Sequence, residues 1–248
     1  MNVLGVVTGS LLCIGCILGY IPQFYNIIKF KSVKGISEFS LVLMNIGTMC
    51  LTMNSIIFSW SYFSCHDLPC LTDLFPFIQI FLSWIMVLIY YIIFIVYKFY
   101  NNKHKIEKSL LAGSYYIITY LIFTIFVIAL ALGEKMENHS SFFHLFADIL
   151  GYTSAVLNSI VFLPQIYTIY SLKSKGNLSF IMFLMQTPGN LVIIVFQAVL
   201  YNSPVSTWIT YVIILAEQSI ILFLMIYYYF RYPPIEIMNG EEIHIIDY

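Results

Sequence analysis

Two stretches of this chain repeat one pattern. The segment "GYIPQFYNIIKFKSVKGIS" occupies residues 19–37, and "VFLPQIYTIYSLKSKGNLS" occupies residues 161–179. Both contain Pro-Gln, a tyrosine two residues later, then Lys-Ser, Lys-Gly and a serine. Pro22 lies 142 positions before Pro164, and the match continues at this distance to Gly47 and Gly189, while the two Lys-Gly pairs are 141 apart. The chain therefore contains an internal duplication.

Composition indicates where the duplicated units lie. Of the 248 residues, 60% are hydrophobic and 9% are charged, whereas soluble proteins are charged at about a quarter of their positions. A helix needs about 20 apolar residues to cross a bilayer. We predict seven membrane-spanning helices, near residues 3–28, 39–62, 74–97, 109–132, 146–170, 179–201 and 206–230.

The duplication groups these helices into two sets of three with the fourth between them. An odd number of helices separates the copies, so both run in the same direction through the membrane. The predicted fold is an all-α membrane protein with two parallel three-helix bundles joined by a linker helix (3+1+3). The units are residues 1–100, the linker region 101–140, residues 141–231 and a tail, 232–248. The third helices also end alike, with Tyr90-Tyr91 and Tyr227-Tyr228.

Charge predicts the orientation. Ten of the eleven Lys and Arg residues lie on one side of the predicted membrane, and Lys135 lies on the other. The positive-inside rule then places the N-terminus outside and the C-terminus in the cytosol. The formal net charge of -1 gives no basic patch, so the chain is not expected to bind nucleic acid. The expected partner of the apolar helices is the lipid bilayer.

The loops and cysteines add smaller predictions. Asn138 begins a glycosylation sequon in an extracytosolic loop. Cys65 and Cys70 lie together in another such loop, where they form either a disulfide or two free thiols. There is no metal-ligand cluster and no nucleophile with a base at useful spacing, so we expect neither an enzyme nor a cofactor.

The paired Pro-Gln segments in a seven-helix chain resemble the PQ-loop repeat transporter family, which includes cystinosin, the lysosomal amino-acid exporters and, more distantly, the SWEET sugar transporters. The resemblance covers nearly the whole chain. It implies transport of a small organic solute by alternating access, with an amino acid or a related metabolite as the expected substrate. It also implies proton coupling in lysosomal members.

The motif residues are predicted hinges and gates. Pro22, Pro164 and Pro188 each lack the amide that would bond a carbonyl one turn back, which favours bends beside a wet cavity. Gln23 and Gln165 follow two of these prolines, and their amides can both donate to and accept from unwound backbone. We assign them to gating rather than to substrate contact.

Polar residues within the predicted helices mark the candidate solute site, because their burial in lipid is costly unless they meet water or a partner. Gln186 and Asn190 are four residues apart and so share one helix face. Glu217 is the candidate proton carrier as well. The predicted substrate-binding residues are Asn45, Asn54, Gln79, Asn158, Gln186, Asn190 and Glu217.

One residue departs from the family pattern. Cystinosin-like members resemble one another in having an aspartate at the position of Gln186, and a glutamine cannot titrate. Either Glu217 carries a proton instead, or transport is uncoupled.

The alternative function is a sorting receptor or scaffold of the same fold that does not transport. Tyr232-Pro-Pro-Ile235 and the acidic Ile245-Ile246 pattern resemble endolysosomal sorting signals, which favours a lysosomal or vacuolar membrane.

Overall fold

A computed structural model describes residues 3–33, 36–63, 72–101, 140–173 and 179–231, with six further positions between 118 and 126. These residues form helices and their connections. The helices are α1 (Val3–Phe30), α2 (Glu38–Phe63), α3 (Phe75–Asn101), α4 (Ser140–Val161), α5 (Leu163–Leu172), α6 (Phe180–Val195) and α7 (Val205–Arg231), with a short π-helix at Phe196–Leu200 after α6.

The described residues contain six stretches long and apolar enough to cross a membrane, with α4 and α5 sharing one of them. They match six of the seven predicted helices. The fourth prediction, 109–132, lies outside the described residues except for the six positions, which are helical. Rings there stack on Trp84 of α3 and pack against Phe146 of α4. Asn138, Cys65, Cys70 and the tail 232–248 also lie outside.

Each half has the same helix order in space. The third helix lies between the other two, because α3 packs against both α1 and α2, while α7 packs against α4, α5 and α6. Ser37 and Ser179 also match. Each side chain accepts a hydrogen bond from the backbone N–H three residues on, at 3.3 Å in both cases, and so caps the second helix of its half. The duplication is therefore structural as well as sequential.

The two contacts between the halves differ in tightness. Helix α2 packs along α4 more extensively than α1 packs along α6, although symmetry makes these interfaces equivalent. At the tight interface, a Cβ added to Gly47 would lie 2.6 Å from Asn158 Nδ2. At the looser one, nothing lies within 4 Å of the equivalent point on Gly189. The halves are thus held together mainly on one side.

The predicted hinge prolines differ in whether their helix is interrupted beside them. The helix of the second half is interrupted at Phe162, and Pro164 stands in the first turn of α5, where its missing N–H costs nothing. Pro22 and Pro188 instead lie inside helices α1 and α6, which continue past them. The expected hinge therefore appears as a break only at Pro164. The π-helix after α6 is a second irregularity, of a kind often found at functional sites.

The third helices correct one sequence match. Gly9 and Gly151 are equivalent, and they face Phe75 and Ser206 respectively, residues 131 positions apart. Tyr90-Tyr91 in α3 and Tyr227-Tyr228 in α7 are 137 apart, so these tyrosine pairs do not occupy equivalent places. The cause is the connection between second and third helices, which is shorter in the second half. Gln79 is consequently equivalent to Thr210.

Candidate functional site

A cavity of about 350 Å³ lies between the two halves. That size is within the range of small-molecule sites, roughly 300–1,000 Å³. Twelve of its lining residues form six pairs separated by the repeat distance of 142, which places the cavity on the pseudo-twofold axis: Cys16/Asn158, Tyr20/Phe162, Ser40/Met182, Met44/Gln186, Thr48/Asn190 and Leu51/Ile193.

The polarity of the cavity is not symmetric. All five amide side chains of the lining belong to the second half: Asn158, Gln165, Gln186, Asn190 and Gln218. The first half supplies hydroxyl and thiol groups, such as Ser40, Thr48 and Cys16, and the Cys16 sulfur lies 3.1 Å from Ser83 Oγ. The second half therefore offers stronger hydrogen-bonding groups.

Asn158 lines the cavity and carries an unpaired acceptor. Its Nδ2 donates to the Ser154 carbonyl at 2.9 Å. A carbonyl only accepts, so this bond fixes which end of the amide is the nitrogen. The remaining atom, Oδ1, is buried without a hydrogen-bond partner in the described structure, and the side chain is only 1% exposed. An acceptor left unpaired in this way costs about 1–3 kcal/mol.

Three other amides form a chain across α6 and α7. Asn190 Nδ2 donates to Gln218 Oε1 at 2.8 Å, and Gln218 Nε2 donates to Gln186 Oε1 at 3.1 Å. Reversing all three amides would give an equally good chain. One end can therefore donate and the other accept, which suits a ligand group that does both.

The two motif glutamines are in different states. Gln23 is buried, and its Oε1 accepts a hydrogen bond from the Ser179 backbone N–H at 3.2 Å. This bond joins α1 to the start of α6, and the gating role of Gln23 stays a prediction. Gln165 instead lines the cavity, and its buried Oε1 has no partner among the described residues. Gln23 of the first repeat therefore bonds the other half, whereas the equivalent Gln165 faces the cavity.

Asn54 was predicted to bind substrate, but its amide is used in helix packing. It donates to the Ala147 carbonyl at 2.8 Å and to Ser206 Oγ at 3.2 Å, and it accepts from Thr207 Oγ1 at 3.0 Å. Ser206 in turn donates to Asp148 at 2.6 Å. This polar cluster ties α2, α4 and α7 together, so Asn54 is a structural residue.

Three further predicted residues also lie off the cavity. Gln79 is buried and accepts a 3.4 Å bond from Gln197 in the π-helix. Asn45 is buried, and its Nδ2 has no partner in the described part of the chain. Glu217 is 8% exposed, and its Oε2 likewise lacks a partner there, although it adjoins the lining residue Gln218. The structure does not bring these three to the cavity.

Sequence reasoning missed lining residues that are not amides. Cys16 and Thr48 occupy the positions equivalent to Asn158 and Asn190, so the repeat distance could have identified them. Tyr20 and Phe162 form another equivalent pair. Apolar and aromatic side chains are expected throughout a membrane protein, so the sequence gives no sign that these two face the cavity.

The described residues contain no group of three or more His, Cys, Asp or Glu side chains that could hold a metal ion. Their architecture is that of a duplicated helical membrane protein with a central cavity on its pseudo-twofold axis. A family model described as the PQ loop repeat matches residues 4–64 and again residues 146–206. The chain is a PQ-loop repeat protein. No curated protein matches it.

Proposed function

We propose that this protein transports a small organic solute across the membrane by alternating access. The observation that carries the proposal is the cavity on the pseudo-twofold axis, lined by equivalent residues of both halves. Alternating access commonly occurs by rocking of one repeat against another around a central site. A site built from both repeats changes its exposure when they rock.

The asymmetry between the halves supports this mechanism. Gln23 closes a contact between the halves through Ser179, whereas Gln165 Oε1 has no equivalent bond to any described residue. The second half is also broken at Phe162, while α1 is continuous. If rocking exchanges these two arrangements, Pro164 and Pro22 are the positions that bend. Pro188, in the wall of α6 beside the cavity residue Gly189, is the third.

The amino-acid expectation rests on the family resemblance alone. A free amino acid carries both a carboxylate and an ammonium group, and membrane sites usually pair such charges. The described cavity lining contains no Asp, Glu, Lys, Arg or His. Related uncharged metabolites therefore fit the site better.

A binding screen followed by flux measurement tests the transport function. We expect one or more small metabolites in a thermal-shift panel of amino acids, sugars and polyols to stabilise the purified full chain. The same compound should then enter proteoliposomes faster than it enters protein-free vesicles. Binding at one molecule per protein without flux would favour the alternative, a sorting receptor or scaffold.

Glu217 is the proposed proton-coupling residue. It is buried beside Gln218, and one of its carboxylate oxygens lacks a partner in the described structure. The elements around α7 carry Glu38, Cys50, Tyr62, His144, Asp148, Tyr152, Tyr167 and Tyr170, while α6 carries no ionisable side chain. Glu38 bonds Lys98 and Asp148 bonds Ser206, so these two carboxylates are already engaged.

Glu217→Gln is expected to abolish the pH dependence of transport. Protonation removes the charge that is costly to carry through lipid, so wild-type uptake should rise as the pH on the loading side falls from about 7.5 to about 5. The variant should change by less than about twofold over the same range. Initial uptake rates into proteoliposomes measure this. An unaltered pH profile in the variant would exclude Glu217 as the carrier.

The orientation and location are also proposed. Basic residues end α1, α3 and α7, at Lys29, Lys98 and Arg231. This end faces the cytosol by the positive-inside rule, with the N-terminus luminal and a lysosomal or vacuolar membrane as the location. Asn138 would then be available for glycosylation, and Cys65 and Cys70 would lie in the oxidising compartment.

A further inference from the structure

We propose that the cavity selects an uncharged solute carrying at least two hydrogen-bond donors, and that the second repeat holds those donors. This inference rests on the proposed transport function and narrows its substrate class. It depends on three observations: the absence of charge in the described lining, the unpaired acceptors, and the confinement of the amides to one half.

The first observation excludes charged solutes. None of the described residues lining the cavity is Asp, Glu, Lys, Arg or His, and the hydrogen-bond chain of Asn190, Gln218 and Gln186 consists of neutral amides. Moving an ion from water into such a site costs several kcal/mol unless an opposite charge repays it. Glu217 does not line the cavity. A neutral solute avoids this cost.

Two unpaired acceptors in the cavity lining require a solute that carries hydrogen-bond donors. Asn158 Oδ1 and Gln165 Oε1 are both buried acceptors without partners in the described residues, and both side chains line the cavity. Each can be satisfied by an O–H or N–H group of a solute. A carboxylate or other acceptor placed against them would leave them unpaired and would be repelled. Hydroxyl and amide N–H groups are therefore the chemistry the site requires.

The amide side chains of the lining all belong to the second half, which therefore binds the polar part of the solute. Asn158, Gln186 and Asn190 have Cys16, Met44 and Thr48 as their equivalents in the first half. A thiol, a thioether and a hydroxyl form weaker or fewer hydrogen bonds than amides do. The polar part of the solute consequently stays with the second repeat, and the first half covers its apolar part with residues such as Tyr20 and Leu51.

Cys16 allows the charge preference to be measured before the solute is known. In a variant that keeps Cys16 and replaces the other four cysteines, labelling rates are measured with three methanethiosulfonate reagents of similar size. One carries a neutral hydroxyethyl group, one a trimethylammonium group and one a sulfonate. Each rate is divided by the rate with free 2-mercaptoethanol, and Cys16→Ser gives the background.

We expect the neutral reagent to label Cys16 at least about tenfold faster than either charged reagent after this correction, because only the charged ones lose hydration without a counter-charge. Asn158→Asp, which is nearly isosteric, should raise the cationic rate at least about tenfold, since it places a carboxylate in the lining. Ser219→Ala, at an exposed position of α7 outside the cavity lining, should leave all three rates unchanged.

Several outcomes would overturn the inference. Equal labelling by all three reagents would show no charge selection. Fastest labelling by the cation, slowed by Glu217→Gln, would show a cation site. Failure of every reagent to label Cys16 would show that the cavity does not admit solutes. A lack of effect from Asn158→Asp in a folded variant would remove Asn158 from the site.

Flux with matched solutes separates this inference from the transport proposal. Nicotinamide is compared with nicotinate, and glucose with glucosamine and glucuronate, so that charge changes on a constant skeleton. The neutral member should inhibit Cys16 labelling or enter proteoliposomes better than its charged partners. Charge-selective labelling without flux of any neutral compound would count against transport but leave the charge selection intact. Preference for a charged member would refute the charge selection itself.

Discussion

Gly151→Ala is expected to lower the unfolding temperature of the purified protein by about 10 °C, as follows from a loss of about 3 kcal/mol. The added Cβ would lie 2.3 Å from the Ser206 carbonyl oxygen and 2.8 Å from Asn54 Nδ2. The first neighbour is backbone and cannot rotate away. Helices α4 and α7 would therefore have to separate and would break the polar cluster at Asn54.

Gly189→Ala is the matched control for this prediction. No heavy atom lies within 4 Å of the Cβ that it adds, and alanine is the better helix former by about 1 kcal/mol. Its unfolding temperature should equal or slightly exceed that of the wild type. Gly9→Ala, at the position equivalent to Gly151, should also lower the unfolding temperature, because the added Cβ would lie 2.6 Å from Phe75 Cγ and 2.8 Å from Phe75 Cβ, atoms at the base of that side chain. A Gly151→Ala protein as stable as Gly189→Ala would contradict the predicted helix contact.

Gln218→Leu is expected to reduce transport at least about tenfold at low solute concentration, because it removes the centre of a cooperative hydrogen-bond chain. Gln218 bonds Asn190 on one side and Gln186 on the other. Leucine leaves both without their partner, so neither amide is held in position for a solute. The measurement is the initial uptake rate of the solute returned by the binding screen.

Ser219→Ala is the control on the same helix. Ser219 is exposed, and its hydroxyl bonds only the carbonyl of Leu215 one turn back in α7. Its removal should change uptake by less than about twofold, since such a bond contributes little to packing between helices. If folded Gln218→Leu protein transported as fast as Ser219→Ala, the amide chain would be part of the packing and not of the solute site.

The membrane helices follow from the sequence because spanning a bilayer imposes length and apolarity directly on the residues. Six of the seven predicted helices correspond to helices α1 to α7, with ends that differ by at most six residues, and α4 and α5 form one predicted span. The repeat also follows, since matching residues at one fixed distance need no knowledge of contacts. The fourth predicted helix, at 109–132, stays a prediction.

The site was predictable only in part. Of the residues predicted to bind substrate, Asn158, Gln186 and Asn190 line the cavity, whereas Asn54 forms hydrogen bonds between packed helices. Both uses satisfy the same requirement, a partner for a polar group in lipid, so the residue type cannot tell them apart. The partner is supplied by another helix, and its position depends on how the helices pack.

The sequence by itself therefore determined that this chain is a duplicated helical membrane protein, because hydropathy and repeat distance are properties of the residues alone. Only the tertiary structure decided that equivalent residues of the two halves make different contacts. Gln23 bonds the other half while Gln165 faces the cavity, and Gly47 is packed while Gly189 is open. The reason is physical: equivalent residues meet different neighbours, and those neighbours come from parts of the chain far away in sequence.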